Sequence, residues 1–189
     1  MEETSRKPTL FLDRDGVINE RLPGDYVRCR EEFRFLPGVL EALRYFSEYF
    51  QHIVVVTNQQ GIGKGLMTEA DLAEIHEKML EEIQAAGGRL DGIYYCPERT
   101  TSSGSCRKPD PAMAWQAKRD FPDIDFGHSV MVGDSASDME FGLALGMQVV
   151  LIEGKEEDAG KLKVLYPRIA LRFADLAGYA GYLAAGGLR

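Results

Sequence analysis

Short aliphatic and β-branched runs alternate along the chain with stretches whose apolar residues recur every three or four positions. Residues 9–12, 52–57, 92–96, 129–132 and 148–152 are apolar runs of strand length, bounded by polar residues, Gly or Pro, as buried strands are. Amphipathic segments separate them. Val39, Leu40, Leu43, Phe46 and Phe50 follow a Pro37-Gly38 start and predict a helix over 38–50. Thr68-Glu69-Ala70-Asp71 reads as a capping box with Asp in the usual Glu/Gln place, and opens a helix through Leu72, Ile75, Met79 and Ile83 that stops at Gly87-Gly88. Asp110-Pro111 supplies an N-cap and an N1 proline for a helix through Ala114, Trp115 and Phe121. Further helices are expected over 135–145 and, more briefly, 175–183. Strand–helix alternation of this kind predicts an α/β fold: a doubly wound, mainly parallel sheet of about five strands with helices on both faces and right-handed connections.

The 189 residues suffice for one sizeable core and are too few for two ordinary domains. A single domain over 1–189 is expected, with its core at about 9–152 and residues 153–189 as an extension packing on it. Trp115, Phe121, Tyr94 and Tyr95 read as core or near-core, and Tyr179 and Tyr182, helically spaced, as packing residues. His52, His76 and His128 read as surface or packing histidines. The net charge of −8 opposes a broad grip on nucleic acid or an anionic membrane, but leaves room for a small basic pocket. No apolar run is long enough to span a bilayer, and residues 1–8 show no secretory pattern. Three cysteines, Cys29, Cys96 and Cys106, without an export signal predict reduced thiols in a cytoplasmic protein, with no disulfide between Cys96 and Cys106.

Polar residues with chemical potential gather just past the carboxyl ends of the predicted strands, where ligands bind in open parallel sheets. Asp13 and Asp15 follow the first strand, Thr57 and Asn58 close the second, Lys108 lies in the loop leaving the third, and Asp134 and Asp138 follow the fourth. Two unusually long non-periodic stretches, 14–35 and 97–109, flank this rim, and loops of that length inside a compact domain usually serve function.

The set Asp13-x-Asp15-Gly16, Thr57, Lys108 and Gly133-Asp134-x-x-x-Asp138 resembles the haloacid dehalogenase (HAD) superfamily of phosphotransferases. All four motifs are present, in order. Flanking residues narrow the likeness: Asp13-Arg14-Asp15-Gly16-Val17-Ile18-Asn19, Val56-Thr57-Asn58-Gln59, Tyr94-Tyr95-Cys96-Pro97 and Arg107-Lys108-Pro109 resemble the D-glycero-D-manno-heptose-1,7-bisphosphate 7-phosphatases, with histidinol-phosphatase domains sharing much of the set. The resemblance implies a magnesium-dependent phosphomonoesterase. Asp13 would attack phosphorus, Asp15 would serve as acid and then base, and Thr57 and Lys108 would hold the phosphoryl group. Asp13, Asp15 (through its main-chain carbonyl) and Asp134 would bind Mg²⁺, and Asp138 would orient Lys108 or a metal-bound water. Asn19, Thr57, Asn58, Gln59, Arg107 and Lys108 would contact substrate, with Arg107 toward its distal part.

No segment between motifs is long enough for a separate cap domain, so selection would fall on the loops 19–35, 59–66 and 97–107. Many such phosphatases carry Cys-x-His and Cys-x-Cys zinc ligands in the last of these loops. Here Glu98 stands for the histidine and Gly104 for one cysteine, leaving Cys96 and Cys106, and structural zinc is not expected from two thiols. A monomer acting on a small phosphorylated metabolite, and neither nucleic acid nor membrane as partner, is the expectation. Histidinol phosphate is the alternative substrate, and a phosphotransferase or mutase, or a nucleic-acid 3′-phosphatase, is a more distant reading.

Overall fold

Within each central strand, successive residues bury into opposite sides of the sheet, as the two-residue period of a strand requires. Leu10 and Leu12 face one core with Ile53, Val55, Val130, Val132, Val150 and Ile152, whereas Phe11 faces a second core with Val54, Val56, Met131, Val149 and Leu151. The strands are β1 (Thr9–Leu12), β2 (His52–Asn58), β3 (Gly92–Cys96), β4 (Ser129–Gly133), β5 (Gln148–Ile152) and β6 (Leu171–Phe173). In the computed structural model, which describes residues 7–22, 24–99, 105–154 and 159–187, they form one sheet in the order β3-β2-β1-β4-β5-β6. Every neighbouring pair is parallel.

Helices cover both faces, which is what a parallel sheet with two apolar faces needs. Helices α1 (Val39–Tyr49), α3 (Glu69–Ala85) and α7 (Leu176–Ala184) bury Phe46, Ile75 and Leu176 in the first core. Helices α4 (Ala112–Asp120), α5 (Ala136–Ala144) and α6 (Ala159–Leu165) bury Met113, Phe141 and Leu162 in the second. The remaining α-helix among the described residues, α2 (Gln60–Gly63), is a single turn in the β2–α3 crossover. The chain moves from β1 outward to β2 and β3, then returns across β1 to β4. The carboxyl ends of β1 and β4 therefore lie at the topological switch point, and the crevice of the sheet opens there. Among the described residues neither the β1–α1 nor the β2–α3 connection carries an added module; the former is a loop pinned by bridges pairing Asn19 with Asp15 and Phe35.

Three expectations change. The segment after residue 152 contributes a sixth strand: Leu171, Arg172 and Phe173 pair with Val150, Leu151 and Ile152. Three residues with a charge in the middle carry too little apolar signal to be read as a strand. Trp115, expected in or near the core, is 48% exposed; Met113, Ala114 and Ala117 form the buried face of α4, so position 115 falls beside it, with the indole edge-on to Phe126. Finally, Cys96 and Cys106 are joined by a disulfide rather than left as thiols. Cys96 ends β3 and Cys106 precedes the residues that return to the same sheet edge, so the loop closes with its two cysteines opposed at a Cα separation of 5.5 Å. That proximity belongs to the fold and not to the cysteine count. Gly104, where the zinc-ligand pattern departs, lies outside the described residues, as does the rest of 100–104. No helix among the described residues is long and apolar enough to cross a membrane.

The tail is integral to the first core, since Leu176 and Tyr179 are fully buried and Tyr179 packs on Phe46 and Phe173. Leu176→Ala should therefore cost about 2–5 kcal/mol of unfolding free energy in a urea titration; a loss near zero would mean the tail merely rests on the domain.

Candidate active site

Four strand ends deliver their polar residues to one cavity of about 410 Å³. At its floor the Lys108 ammonium lies between two carboxylates, 2.7 Å from Asp13 Oδ1 and 2.6 Å from Asp138 Oδ1, with its own side chain 1% exposed. It also donates to the Val56 carbonyl (2.6 Å). Asp138 divides its two oxygens. Oδ1 meets the lysine, while Oδ2 accepts from the Ser135 amide and hydroxyl, and Ser135 in return accepts from the Asp138 amide. This capping box starts α5. Gly133 makes the packing possible, because a Cβ there would lie 2.2 Å from that of Asp138.

The turn after β1 is built on the Arg14 carbonyl, which accepts from the amides of Val17, Ile18 and Asn19. Gly16 sits in it at φ +90°, where a side chain would be strained and its Cβ would meet Asp134 Oδ2 at 2.2 Å. Asp15 is surrounded by donors: Arg14 Nη2 to both oxygens (2.9 and 3.0 Å), Asn19 Nδ2 (3.0 Å) and Gln59 Nε2 (2.9 Å). Gln59 Nε2 also donates to Thr57 Oγ1 (2.9 Å), which leaves the threonine's own proton to donate elsewhere.

The expected substrate contacts divide by position. Thr57, Gln59 and Arg107 line the cavity. Asn58 lines it too, but its side chain accepts from the Lys108 amide (2.9 Å) and donates to the Lys108 carbonyl (3.4 Å), so it clasps the loop that carries the lysine. Asn19 is 0% exposed and donates to Asp15 Oδ1, so its amide meets that carboxylate and does not line the cavity.

Cations ring the mouth. Arg107 is half-buried, and its Nη1 is buried without a hydrogen-bond partner among the described residues. Lys64 donates to the Tyr26 hydroxyl (2.8 Å) across the ring face. Arg21, which the sequence did not single out, brings Nη2 to 3.5 Å from both the Asp15 carbonyl and Asp134 Oδ1. Only position 21's basic side chain within the long loop could have signalled it.

The HAD-hydrolase-like family model matches residues 105–179. A D-glycero-α-D-manno-heptose-1,7-bisphosphate 7-phosphatase of Mycobacterium bovis is 42% identical over 139 residues, covering 74% of this chain and 73% of that protein. The β-anomer phosphatase of Escherichia coli K12 is 40% identical over 157 residues, covering 78% and 81%. The chain belongs to the HAD-like heptose-bisphosphate phosphatases. Its fold agrees with that of a D,D-heptose 1,7-bisphosphate phosphatase from B. bronchiseptica, crystallised with magnesium and phosphate, at a TM-score of 0.81 and 30% identity over 95% of this chain and 99% of that one.

In this phosphatase the oxygen set suits a hard divalent cation. Asp13, Asp134 and Asp138 lie close enough together to share one, but Asp138 is already committed to Lys108 and to its helix cap. That leaves the carboxylates of Asp13 and Asp134 with the Asp15 carbonyl as the candidate ligands. The Arg21 guanidinium, drawn toward two of these three, marks the same spot as one that attracts positive charge.

Electrostatics follow from burial opposed by pairing. Burial pushes the Asp13 carboxyl up, Asp138 and Asp15 add to it, and it reaches about 6 although Lys108 pulls it down. Burial also works against ionised Asp15, but the Arg14 charge and the donors from Arg14, Asn19 and Gln59 outweigh it and hold that carboxyl below its ordinary value. Lys108 is held up, its two carboxylates overcoming the effect of burial.

Because its folded value is raised from 3.8 to about 6, the contribution of Asp13 to stability is present at low pH and lost as pH rises through that window. A divalent cation needs the ionised form. The thermal shift produced by Mg²⁺ should therefore grow between pH 5 and pH 7, and Asp134→Asn should abolish most of it; equal shifts at both pH values in a melting experiment would contradict this account.

Proposed function

We propose that this phosphatase removes the 7-phosphate of D-glycero-D-manno-heptose 1,7-bisphosphate with Asp13 as nucleophile. The observation that carries the reading is the buried ammonium of Lys108 bridging Asp13 and Asp138. It keeps an anionic nucleophile beside the place an anionic phosphoryl group must occupy.

Asp13 Oδ attacks phosphorus, the P–O bond to the sugar breaks, and the departing alkoxide takes a proton from Asp15. A water molecule then gives its proton to Asp15 and attacks the aspartyl-phosphate, releasing phosphate and restoring the Asp13 carboxylate. The Arg14 charge and its other donors hold the Asp15 carboxyl low; an incoming phosphoryl dianion is a like charge beside it and raises its proton affinity, so that it takes up the proton it must donate. Thr57 would donate to a phosphoryl oxygen, and Lys108 would offset the added charge. Asp13, Asp134 and the Asp15 carbonyl would hold Mg²⁺, which would supply charge neutralisation at the phosphoryl oxygens.

The distal phosphate would fall to Arg107, whose buried Nη1 has no partner among the described residues and suits a planar two-point contact with an oxyanion, and to Lys64 at the mouth. A site to which the described residues add no cap suits hydrolysis, because water reaches the intermediate; a mutase would need to exclude it.

Asp13→Asn should lower kcat by about 10³-fold or more with the fold intact by circular dichroism. Substantial residual turnover would move the nucleophile elsewhere. Arg107→Ala should raise KM for the bisphosphate by about tenfold while leaving KM for heptose 7-phosphate little changed; equal effects on both would remove Arg107 from the distal site. Faster turnover of histidinol phosphate than of the heptose bisphosphate at equal concentration would overturn the substrate.

A further inference from the structure

We propose that His76, on α3 and outside every catalytic motif, is a positioning residue that fixes the acid–base carboxylate of Asp15 through the buried guanidinium of Arg14. The proposal rests on the reading of Asp15 as the acid and base.

Helix α3 buries Leu72, Ile75, His76, Met79 and Ile83. His76 is the one polar member of that stripe and is 8% exposed. Its Nε2 lies 3.3 Å from Arg14 Nη1 across 62 residues of sequence. Arg14 in turn is 1% exposed and forks Nη2 onto both oxygens of Asp15. A guanidinium only donates, so the imidazole must accept at Nε2 and carry its proton on Nδ1. The neutral form this needs is the one the site favours: burial, then the Arg14 charge, pull His76 down to about 3.

The guanidinium has few anchors. Among the described residues its Nε is buried without a partner, and its side chain hydrogen-bonds Asp15 and His76. One contact fixes a point; two fix an orientation. Without His76, Nη1 would be a second buried donor lacking a partner, and the planar group could turn about its Asp15 contact and carry that carboxylate with it. An error of about 1 Å in a reacting group costs on the order of 10²-fold in rate. A histidine that merely fills space in α3 would have no such link to the proton transfer.

The two readings part on the leaving group. The alkoxide of a sugar phosphate needs the Asp15 proton, whereas p-nitrophenyl phosphate expels a stable phenolate without one. His76→Leu, of similar size with no acceptor, should lower kcat/KM on the heptose bisphosphate by about 10- to 100-fold and on p-nitrophenyl phosphate by no more than about threefold. The ratio kcat/KM ends at departure of the leaving group, so it leaves out hydrolysis of the shared aspartyl-phosphate, where Asp15 acts as base whichever ester was bound. His76→Gln, which returns an acceptor oxygen, should recover most of the loss. Arg14→Lys should show the same ester dependence, and adding His76→Leu to it should cost little more, because the two act in one chain. Equal losses on both esters, no advantage of Gln over Leu, or multiplicative losses in the double variant would each overturn the relay. His76→Gln and Arg14→Lys keep the test open should His76→Leu fail to fold. Asp15→Asn separates the two levels: if it lowers kcat/KM alike for both esters, the acid role falls and the relay with it, and if it discriminates between esters while His76→Leu does not, the relay alone falls.

Discussion

A lysine ammonium with almost no access to water can exist only if its charge is answered inside the protein. An isolated buried charge costs several kcal/mol, and removing one partner of such a pair is among the most damaging changes a core can suffer. Lys108 is answered by Asp13 from the end of β1 and by Asp138 from the start of α5, with the Val56 carbonyl of β2 completing its shell. Strands β1 and β2 and helix α5 are thereby drawn to one point, and the same contacts that satisfy the charge assemble a nucleophile, its counter-ion and the cation site beside it.

Much of this was legible because the chemistry sits where the hydrophobic pattern stops. An apolar run ending in Asp13, or in Thr57, identifies both the strand and its functional end, and the carboxyl-edge rule for parallel sheets places those ends together. What resisted reading has one physical character: contacts between residues far apart in sequence that carry no periodic signal. Arg21 reaches Asp134 from a loop without regular structure. Cys96 and Cys106 meet because a loop returns to its origin. Asn58 spends its amide on the main chain of Lys108, and Asn19 spends its own behind Asp15; composition says only that an amide is present, not which neighbour it faces. Strand β6 failed for a different reason, since three residues beside an edge are too few for alternation to stand out from chance.

The division of labour across the sheet is uneven. The core motifs supply attack, charge and cation binding from rigid strand ends, as precise chemistry requires. The loops that carry Arg21, Tyr26, Lys64 and Arg107 line the cavity. Selectivity in this phosphatase would then come from cations that read charge and spacing in the distal half of a ligand.

The capping box at α5 has a consequence for motion. One oxygen of Asp138 closes the first helical turn while the other holds the lysine. Helix ends usually fray at little cost, since their terminal turns are secured by few contacts. This one cannot open without stripping a buried ammonium of half its compensation. Amide exchange with solvent at the start of α5 should thus be as slow as in the deep core, and local unfolding there becomes an event of the active site itself.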